Sequence, residues 1–413
     1  MKLIERAEKI LEKGYVCDHC LGRQFAQLLT GMSNQERGYI IREFVAMNID
    51  AGKDMDVDSG NFSEVDFRHC NHKEKDIGEV CVVCKDLFKE LEEWSGKVMI
   101  KLQEYEFENF LLGSRLPDEL VKREEELWEE IGIEHCEEMK AEFNRELGKK
   151  LEEKLNKKVE FDLPEIQVLV DVEEDEIELN VNSLCVYGEY QKVERGIPQT
   201  EWPSGKYEIS LEEIIAPAFL RAADSPDEKF HGAGREDIDA CCLGWRPFIL
   251  ELLQPKRRRL DLDDIEKKVN ENEEVNVRKL RFVGRNTVEE LKSWQPDKSY
   301  RATVELKEDV EEEKLEKLDE LQGKTLTQRT PKRVEHRRAD RYRKRKVKEI
   351  EWEKMGNKKV EIKVKAEAGT YIKEMISGDS GRTEPSVTSL LGVEAECVEL
   401  DVVEIHGKEK LNL

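Results

Sequence analysis

A mixed α/β fold of the α+β kind, in three parts, is predicted by three observations. Two Cys-x-x-Cys pairs punctuate a helical N-terminal stretch. A short strand, two charged amphipathic helices and an alternating β stretch come next. Beyond them strands dominate, with only short helices between. A chain of 413 residues is too long for one ordinary core, and its 38% hydrophobic share suffices for several. No apolar run nears the roughly 18 residues of a membrane span. The opening "MKLIERAEKI" alternates charge and has no apolar signal core. A soluble, cytoplasmic protein without membrane contact is expected.

Residues 2–13 have helical periodicity. "SNQERGYIIREFVAMNI" sets Ser33 three residues before Glu36, the spacing of a capping box. "CVVCKDLFKELEEW" reads as the start of another helix. Together they make a helical module over residues 1–92. Ten cysteines in a cytosolic chain read as metal ligands or buried thiols, not disulfides. A single Cys-x-x-Cys is often incidental, but here there are two, Cys17 with Cys20 and Cys81 with Cys84. Four thiolates suit a tetrahedral zinc. His19, His69, Cys70 and His72 are less regular substitutes. With four positions filled the metal is structural, contributing on the order of 10 kcal/mol to folding.

The second region spans residues 93–188. "YEFENFLLG" looks like a strand, and two amphipathic helices run from about 117 to 156. "EIQVLVDVEEDEIELNVNSLCVYG" alternates on both sides of an acidic turn. The third region, 189–413, places short helices at "LDLDDIEKKVNENEE" and "LKEDVEEEKLEKLDELQG" among strands. There is no internal repeat and no low-complexity linker.

The net charge of −24, taken alone, argues against a nucleic-acid binder. Its distribution argues otherwise, because local field governs binding more than the sum does. Between Lys324 and Lys348 stand twelve Lys and Arg against two acids. "TLTQRTPKRVEHRRADRYRKRKV" interleaves Arg333, Arg337, Arg338, Arg341 and Arg343 at β-like spacing. A plain solvated face is the bland reading; a phosphate-binding track is the better one.

Three further stretches carry chemistry. In "HGAGREDIDACCLGWRPFILELLQP" the turn Gly234-Arg235-Glu236-Asp237 feeds an apolar run. Such a turn is ordinarily solvated, but a buried strand behind it can hold Asp237 rigid. Arg235 can face a phosphate or pair with an acid. A carboxylate of ordinary pKa, about 4, is ionised at neutral pH and serves as nucleophile or base without activation. In "DKSYRATVEL" Tyr300 lies on an alternating strand, a core position unless it stacks on an unstacked nucleobase. In "AEAGTYIKEMISGDSGRTEPSVTSLLG" Lys373 follows a Gly-Thr-Tyr-Ile strand. A cation on a core strand needs an acidic partner, and Asp237 is the natural one; otherwise Lys373 snorkels to solvent.

In this combination the sequence resembles the archaeal and eukaryotic tRNA pseudouridine synthase family that modifies T-loop uridines, numbered tenth in the usual nomenclature. "CDHCLGRQF" and "CVVC" are similar to its zinc-binding region. "FLLGSRLPDEL" through "NVNSLCVYGEY" is similar to its THUMP-containing RNA-binding domain. "RGIPQTEW", "HGAGREDID", "KSYRATVEL", "QRTPKRVEHRRADRYRKR" and "GTYIKEMISGDSGRTEPSV" follow in the family's order, so nearly the whole chain is covered.

The resemblance implies a C-terminal mixed antiparallel β-sheet catalytic domain that isomerises uridine 54, 55 or both in tRNA. Asp237 would be the catalytic carboxylate and Tyr300 the ring on the target base. Lys373 would stand against Asp237, with Ile372 packing the site wall. The base–ribose C–N bond breaks, the uracil rotates, and its carbon 5 bonds to the anomeric carbon. No organic cofactor is implied; the partner is tRNA and the chain acts as a monomer. The target base must be flipped out, at a cost of about a few kcal/mol. Cys241 stands where the family carries an Arg, "LGWRPF" is about one residue short, and "RGIPQTEWPSGKY" lacks a Cys-rich insert. A non-catalytic tRNA-binding protein on the same scaffold is the alternative, but it would have no need of Asp237, Tyr300 and Lys373 together. Another THUMP enzyme, a methyltransferase or thiolase, would require a glycine-rich or pyrophosphate-binding loop, and neither is present.

Overall fold

Capping and alternation decide where this chain turns from helix to strand. The computed structural model describes residues 2–70, 80–202 and 204–408. Their contacts divide the chain into two units, Met1–Asn182 and Ser183–Leu413.

The first unit opens with α1 (Leu3–Leu11), α2 (Asp18–Gly22), α3 (Asn34–Asp50) and α4 (Leu91–Leu102). α3 begins at the expected capping box. Ser33 Oγ accepts the Glu36 N–H at 3.2 Å, and the Glu36 carboxylate accepts the Ser33 N–H at 2.7 Å. The helix expected from Cys81 does not form there. Lys85 and Asp86 have φ of 53° and 68°, left-handed backbone that no α-helix contains, so α4 starts only at Leu91. The cause is local: the Cys81 N–H donates to Asp86 Oδ1 at 3.1 Å, wrapping the chain around the cysteine pair.

β1 (Asn109–Arg115), α5 (Asp118–Ile131), α6 (Met139–Leu155), β2 (Lys158–Val159), β3 (Ile166–Asp171) and β4 (Glu176–Val181) complete the unit. The sheet order is β2-β1-β3-β4, with β1 parallel to both neighbours and β3–β4 an antiparallel hairpin. Phe110 and Leu112 alternate inward on β1, as do Ile166, Val168 and Val170 on β3. Phe143, Leu147 and Leu151, at helical spacing on α6, join the same core.

The second unit contains β5 (Leu184–Lys192), α7 (Leu211–Ala223), β6 (Asp227–Gly232), β7 (Cys241–Leu253), α8 (Leu262–Val269), β8 (Val275–Val283) and α9 (Thr287–Ser293). It continues with β9 (Lys298–Leu306), α10 (Glu312–Leu315), β10 (Thr325–Arg329), β11 (Tyr342–Gly356), β12 (Lys359–Ala366) and α11 (Ile372–Ser377). β13 (Thr383–Glu384), α12 (Val387–Leu391) and β14 (Ala395–Ile405) close it. Position 188 falls inside β5, which pairs with β7 and β8. The helix expected over "LKEDVEEEKLEKLDELQG" is α only through α10 and becomes a 3₁₀ helix to Leu321. Leu315, Leu318 and Leu321 are buried at spacings of three, the period of the tighter helix.

One sheet of ten strands runs β13-β10-β11-β12-β9-β14-β7-β5-β8, with β6 added on β7. Every pair is antiparallel except β14 with β7, so the expected mixed antiparallel sheet is the one observed. The important detail is one edge of β7. Its Cys241 and Cys242 pair with β14, while Phe248 to Leu253 pair with β6. Between these two stretches the edge parts, and the β6–β7 connection carrying Asp237 spans the parting. Among the described residues no helix is long and apolar enough to cross a membrane.

Candidate active site

The connection begins with Gly234 at φ +70°. The positive φ favours glycine, and a Cβ there would crowd Lys298 Nζ at 3.2 Å, with Arg246 Nη1 in ordinary contact at 3.7 Å. Glu236 then turns inward, its side chain 2% exposed, 3.0 Å from Arg246 Nη2 and 3.7 Å from Lys192 Nζ. Tyr190 donates its hydroxyl to the same carboxylate at 3.2 Å. A buried carboxylate stays charged only with such partners. Gln199 Nε2 donates to Gly234 O and to Tyr190 Oη, each at 3.0 Å. Lys192 Nζ donates to Ile197 O at 2.9 Å and Ile238 O at 3.2 Å. At the far end Arg195 Nη1 donates to Asp239 O at 3.0 Å and Leu400 O at 3.1 Å, and its Nη2 reaches Asp401 at 2.7 Å.

Asp237 is thus held between fixed points and left 31% exposed. Arg333 Nη1 donates to it at 3.1 and 3.0 Å, and Arg333 Nε pairs with Glu374 at 2.7 Å. The expected pairing of Lys373 with Asp237 is present as a long ion pair, with a closer carboxylate beside it. Lys373 Nζ lies 2.6 Å from Asp239 and 3.8 Å from Asp237. Burial pushes the Asp239 carboxyl up, but the Lys373 hydrogen bond and charge, a backbone hydrogen bond and the Arg333 charge together outweigh it and hold the group below its usual range. Lys373 also stands in the first turn of α11, not on a strand. Arg333, read as part of the phosphate track, is the nearer of the two cations on Asp237.

A cavity of about 170 Å³ opens beside Asp237, lined by Tyr300, Ile372, Lys373, Arg246 and Lys298 among others. Tyr300 is fixed on β9 between Val364 of β12 and Val402 of β14. Burial pushes its phenol to about 12, so it stays protonated. Ile372 is buried in the wall. Arg235 is exposed at the mouth, with no ion-pair partner among the described residues. Arg338 Nη1 donates to Tyr371 Oη at 3.1 Å, and the Arg343 guanidinium lies 5.9 Å from the Tyr371 ring. Arg341 is exposed, and the side chain of Arg337 lies outside the described residues. A second cleft of about 440 Å³ meets the other side of Asp237 and carries Trp202 and Tyr207, in edge contact at 5.5 Å.

Sequence reading missed Arg246, Lys298, Lys192 and Asp239. Two of them left a trace. Lys298 precedes Tyr300 by two on a strand, so both share a face. Arg246 is a lone cation inside an apolar run. The departure at Cys241 is quiet: its thiol is buried and donates to Val193 O at 3.4 Å.

In the first unit the sulfurs of Cys17, Cys20, Cys81 and Cys84 lie within 4.8 Å of one another. The Cys17 N–H points at Cys81 Sγ at 3.3 Å, and Arg23 Nη1 at Cys20 Sγ at 3.0 Å. Four soft donors in one shell, with N–H groups aimed at the sulfurs, fit a tetrahedral zinc. His19 is engaged elsewhere, 2.8 Å from Glu142. His69 and Cys70 are not in the cluster, and His72 lies outside the described residues.

The profile "Pus10, C-terminal" matches residues 185–406, and "Pus10 THUMP domain, archaeal" matches residues 94–171. A Halorubrum lacusprofundi protein named tRNA pseudouridine synthase Pus10 is 38% identical, over 99% of this chain and 98% of its own. Its Methanothrix thermoacetophila namesake is 39% identical over 98% and 95%. The Pyrococcus furiosus one is 37% identical over 98% of each chain. A solved Cbf5-Nop10-Gar1 complex matches 52% of this chain and 48% of that one at 22% identity, with a TM-score of 0.32, too distant to bear on function. With the family's profiles covering both units and its members aligned end to end, the chain belongs to the Pus10 family.

Proposed function

We propose that this protein is a tRNA pseudouridine synthase that isomerises T-loop uridine 54, 55 or both, with Asp237 as the catalytic carboxylate. The observation that carries the reading is the contrast within one turn. Glu236 is buried and saturated by cations, while Asp237 remains open to a cavity walled by Tyr300 and Ile372. Arg333 and Lys373 orient the carboxylate. Tyr300 and Ile372 receive the flipped base, and Arg338, Arg341 and Arg343, with Arg337 in the same run, hold phosphates along the way in. Arg235 stands where the target's own phosphate arrives. The cleft at Trp202 takes the flanking nucleotides, because flipping one base strips its neighbours of stacking.

The reaction consumes no electrons and needs no organic cofactor. Asp237 either attacks the anomeric carbon or removes the ribose 2′ proton, and the cavity retains the detached uracil. We assign a metal-clipped region to about residue 92, an RNA-binding region after it and the catalytic region beyond. Zinc on Cys17, Cys20, Cys81 and Cys84 would hold the first region's shape and take no part in the chemistry. A cytoplasmic monomer acting on tRNA completes the proposal.

The test incubates an unmodified tRNA transcript with purified protein and no added cofactor. Pseudouridine is mapped by carbodiimide treatment and primer extension, with Asp237→Ala in parallel. T-loop product from the wild type alone is the expected result. Tight tRNA binding without product from the wild type would instead favour the binding-only reading.

A further inference from the structure

Two cations sit at the floor of the Asp237 cavity with too little negative charge to match them. Arg246 is fully buried and Lys298 nine-tenths buried, and both line the cavity. Their heads converge on Gly234: a Cβ built there would lie 3.2 Å from Lys298 Nζ and 3.7 Å from Arg246 Nη1. Glu236 faces Arg246 at 3.0 Å, but no carboxylate lies within 4 Å of Lys298 Nζ among the described residues. Arg246 Nε, buried, finds no hydrogen-bond partner either. A buried unpaired cation is costly, and such costs concentrate where a charge develops during reaction.

We propose that Lys298, seconded by Arg246, is a catalytic residue that stabilises the negative charge on the uracil as it leaves the ribose. This rests on the reading of the Asp237 cavity as the reaction site. When C1′–N1 breaks, its electron pair stays on the base and spreads over N1 and the two carbonyl oxygens. C1′ meanwhile either gains a bond to the Asp237 carboxylate or becomes part of an enol ether as the 2′ proton passes to it. On return, C1′–C5 forms, the bond to Asp237 or the transferred proton is given back, one proton leaves C5 and one is taken up at N1. Atoms and charge balance. The detached anion needs a counter-charge that the intact nucleoside does not, and Lys298 supplies it without having to bind the substrate. Its place two residues before Tyr300, on the same face of β9, points it at the ring's edge while Tyr300 covers the ring's face.

The groups facing Lys298 are Arg246, Cys242 and Glu236. Burial, with Arg246 adding to it, brings the Lys298 ammonium down to about 7. The proton it needs is therefore lost as pH rises, with a midpoint at or above about 7 because bound tRNA phosphates raise it. The experiment measures single-turnover rate and tRNA Kd for wild type, Lys298→Met and Lys298→Arg from pH 6 to 9. Lys298→Met should lose on the order of 100-fold or more in rate with Kd within about 2-fold. Lys298→Arg should keep more rate than Lys298→Met and lose the falling alkaline limb, since guanidinium stays charged. A rate for Lys298→Met within about 3-fold of wild type, or a loss confined to Kd, would overturn the proposal. If the Met variant does not fold, an alkaline limb in Lys298→Arg identical to wild type overturns it equally. Turnover by Asp237→Asn would sink the Asp237 reading instead, and it is read in a separate tube.

Discussion

The four-cysteine cluster and the Asp237 turn are built by the same means and end in opposite conditions. Each gathers ionisable groups from distant stretches: Cys17 meets Cys84 across 67 positions, and Arg333 meets Asp237 across 96. In the cluster the four groups are alike, close and turned on one another. In the turn, adjacent carboxylates are treated unequally, Glu236 buried among cations and Asp237 left a third exposed. Gathering charge therefore does not mark a reactive site. On the proposed reading, leaving one group of the gathering open to a cavity does.

Metal removal should break the comparison hardest. With zinc bound, Cys81→Ser or a strong chelator should cost on the order of 10 kcal/mol and unfold the first unit. Metal analysis should give one zinc per wild-type chain. The second unit, with its own core, should keep its thermal transition. Next comes Asp237→Asn, which should lower the single-turnover rate by about a thousandfold or more. Its Tm should move by no more than about 2 °C, because the side chain is partly open. Arg246→Met should lower stability as well, because it takes the nearest cation from Glu236 and leaves Lys192 at 3.7 Å. Breaking a buried pair costs about 3–5 kcal/mol, so a large fall in Tm is expected with Asp237 untouched.

A smaller, pH-dependent effect comes from Lys298. Its folded pKa near 7 lies below the ordinary 10.5. The unfolded chain thus binds more protons between those values, and wild-type stability rises with pH across that window. Lys298→Met should raise Tm by a few degrees at pH 7 and below, a gain that fades toward pH 10. A gain that is constant with pH would show that Lys298 is not held near 7. Trp202→Ala, the mildest change, should weaken tRNA binding by the worth of one stacked base, about 1–3 kcal/mol. Fluorescence of 2-aminopurine beside the target uridine reads it directly.

What was legible in the sequence was local or repeated. Ser33 and Glu36 cap α3 as their spacing says, and the alternation of "DKSYRATVEL" gives β9 with Tyr300 facing the core. The paired cysteines were legible because the motif occurs twice. Illegible were pairings across long separations and side chains that override the backbone. Nothing near Arg333 announces Asp237, and the basic run around it reads as one track. Asp86 reaching back to Cys81 stops a helix that the apolar periodicity would have started there. Lys373 looked like a strand residue because Gly-Thr-Tyr-Ile is β-like in composition, yet Gly369 at φ +78° ends the extended run and α11 begins at Ile372.

Arg195 fastens the end of the Asp237 turn to Leu400 and Asp401 on β14. β14 is the last strand of the second unit. On the ribosome, a chain made as far as residue 390 has Glu236, Asp237, Tyr300, Arg333 and Lys373 but neither that anchor nor the strand between β7 and β9. Domains fold as units, and contacts of long sequence separation close late. On the proposed assignment of Asp237, a nascent chain can therefore carry all of these residues and still lack an anchored turn until β14 emerges. On the proposed reading, translation itself becomes the timer that keeps the Asp237 turn unanchored until the end.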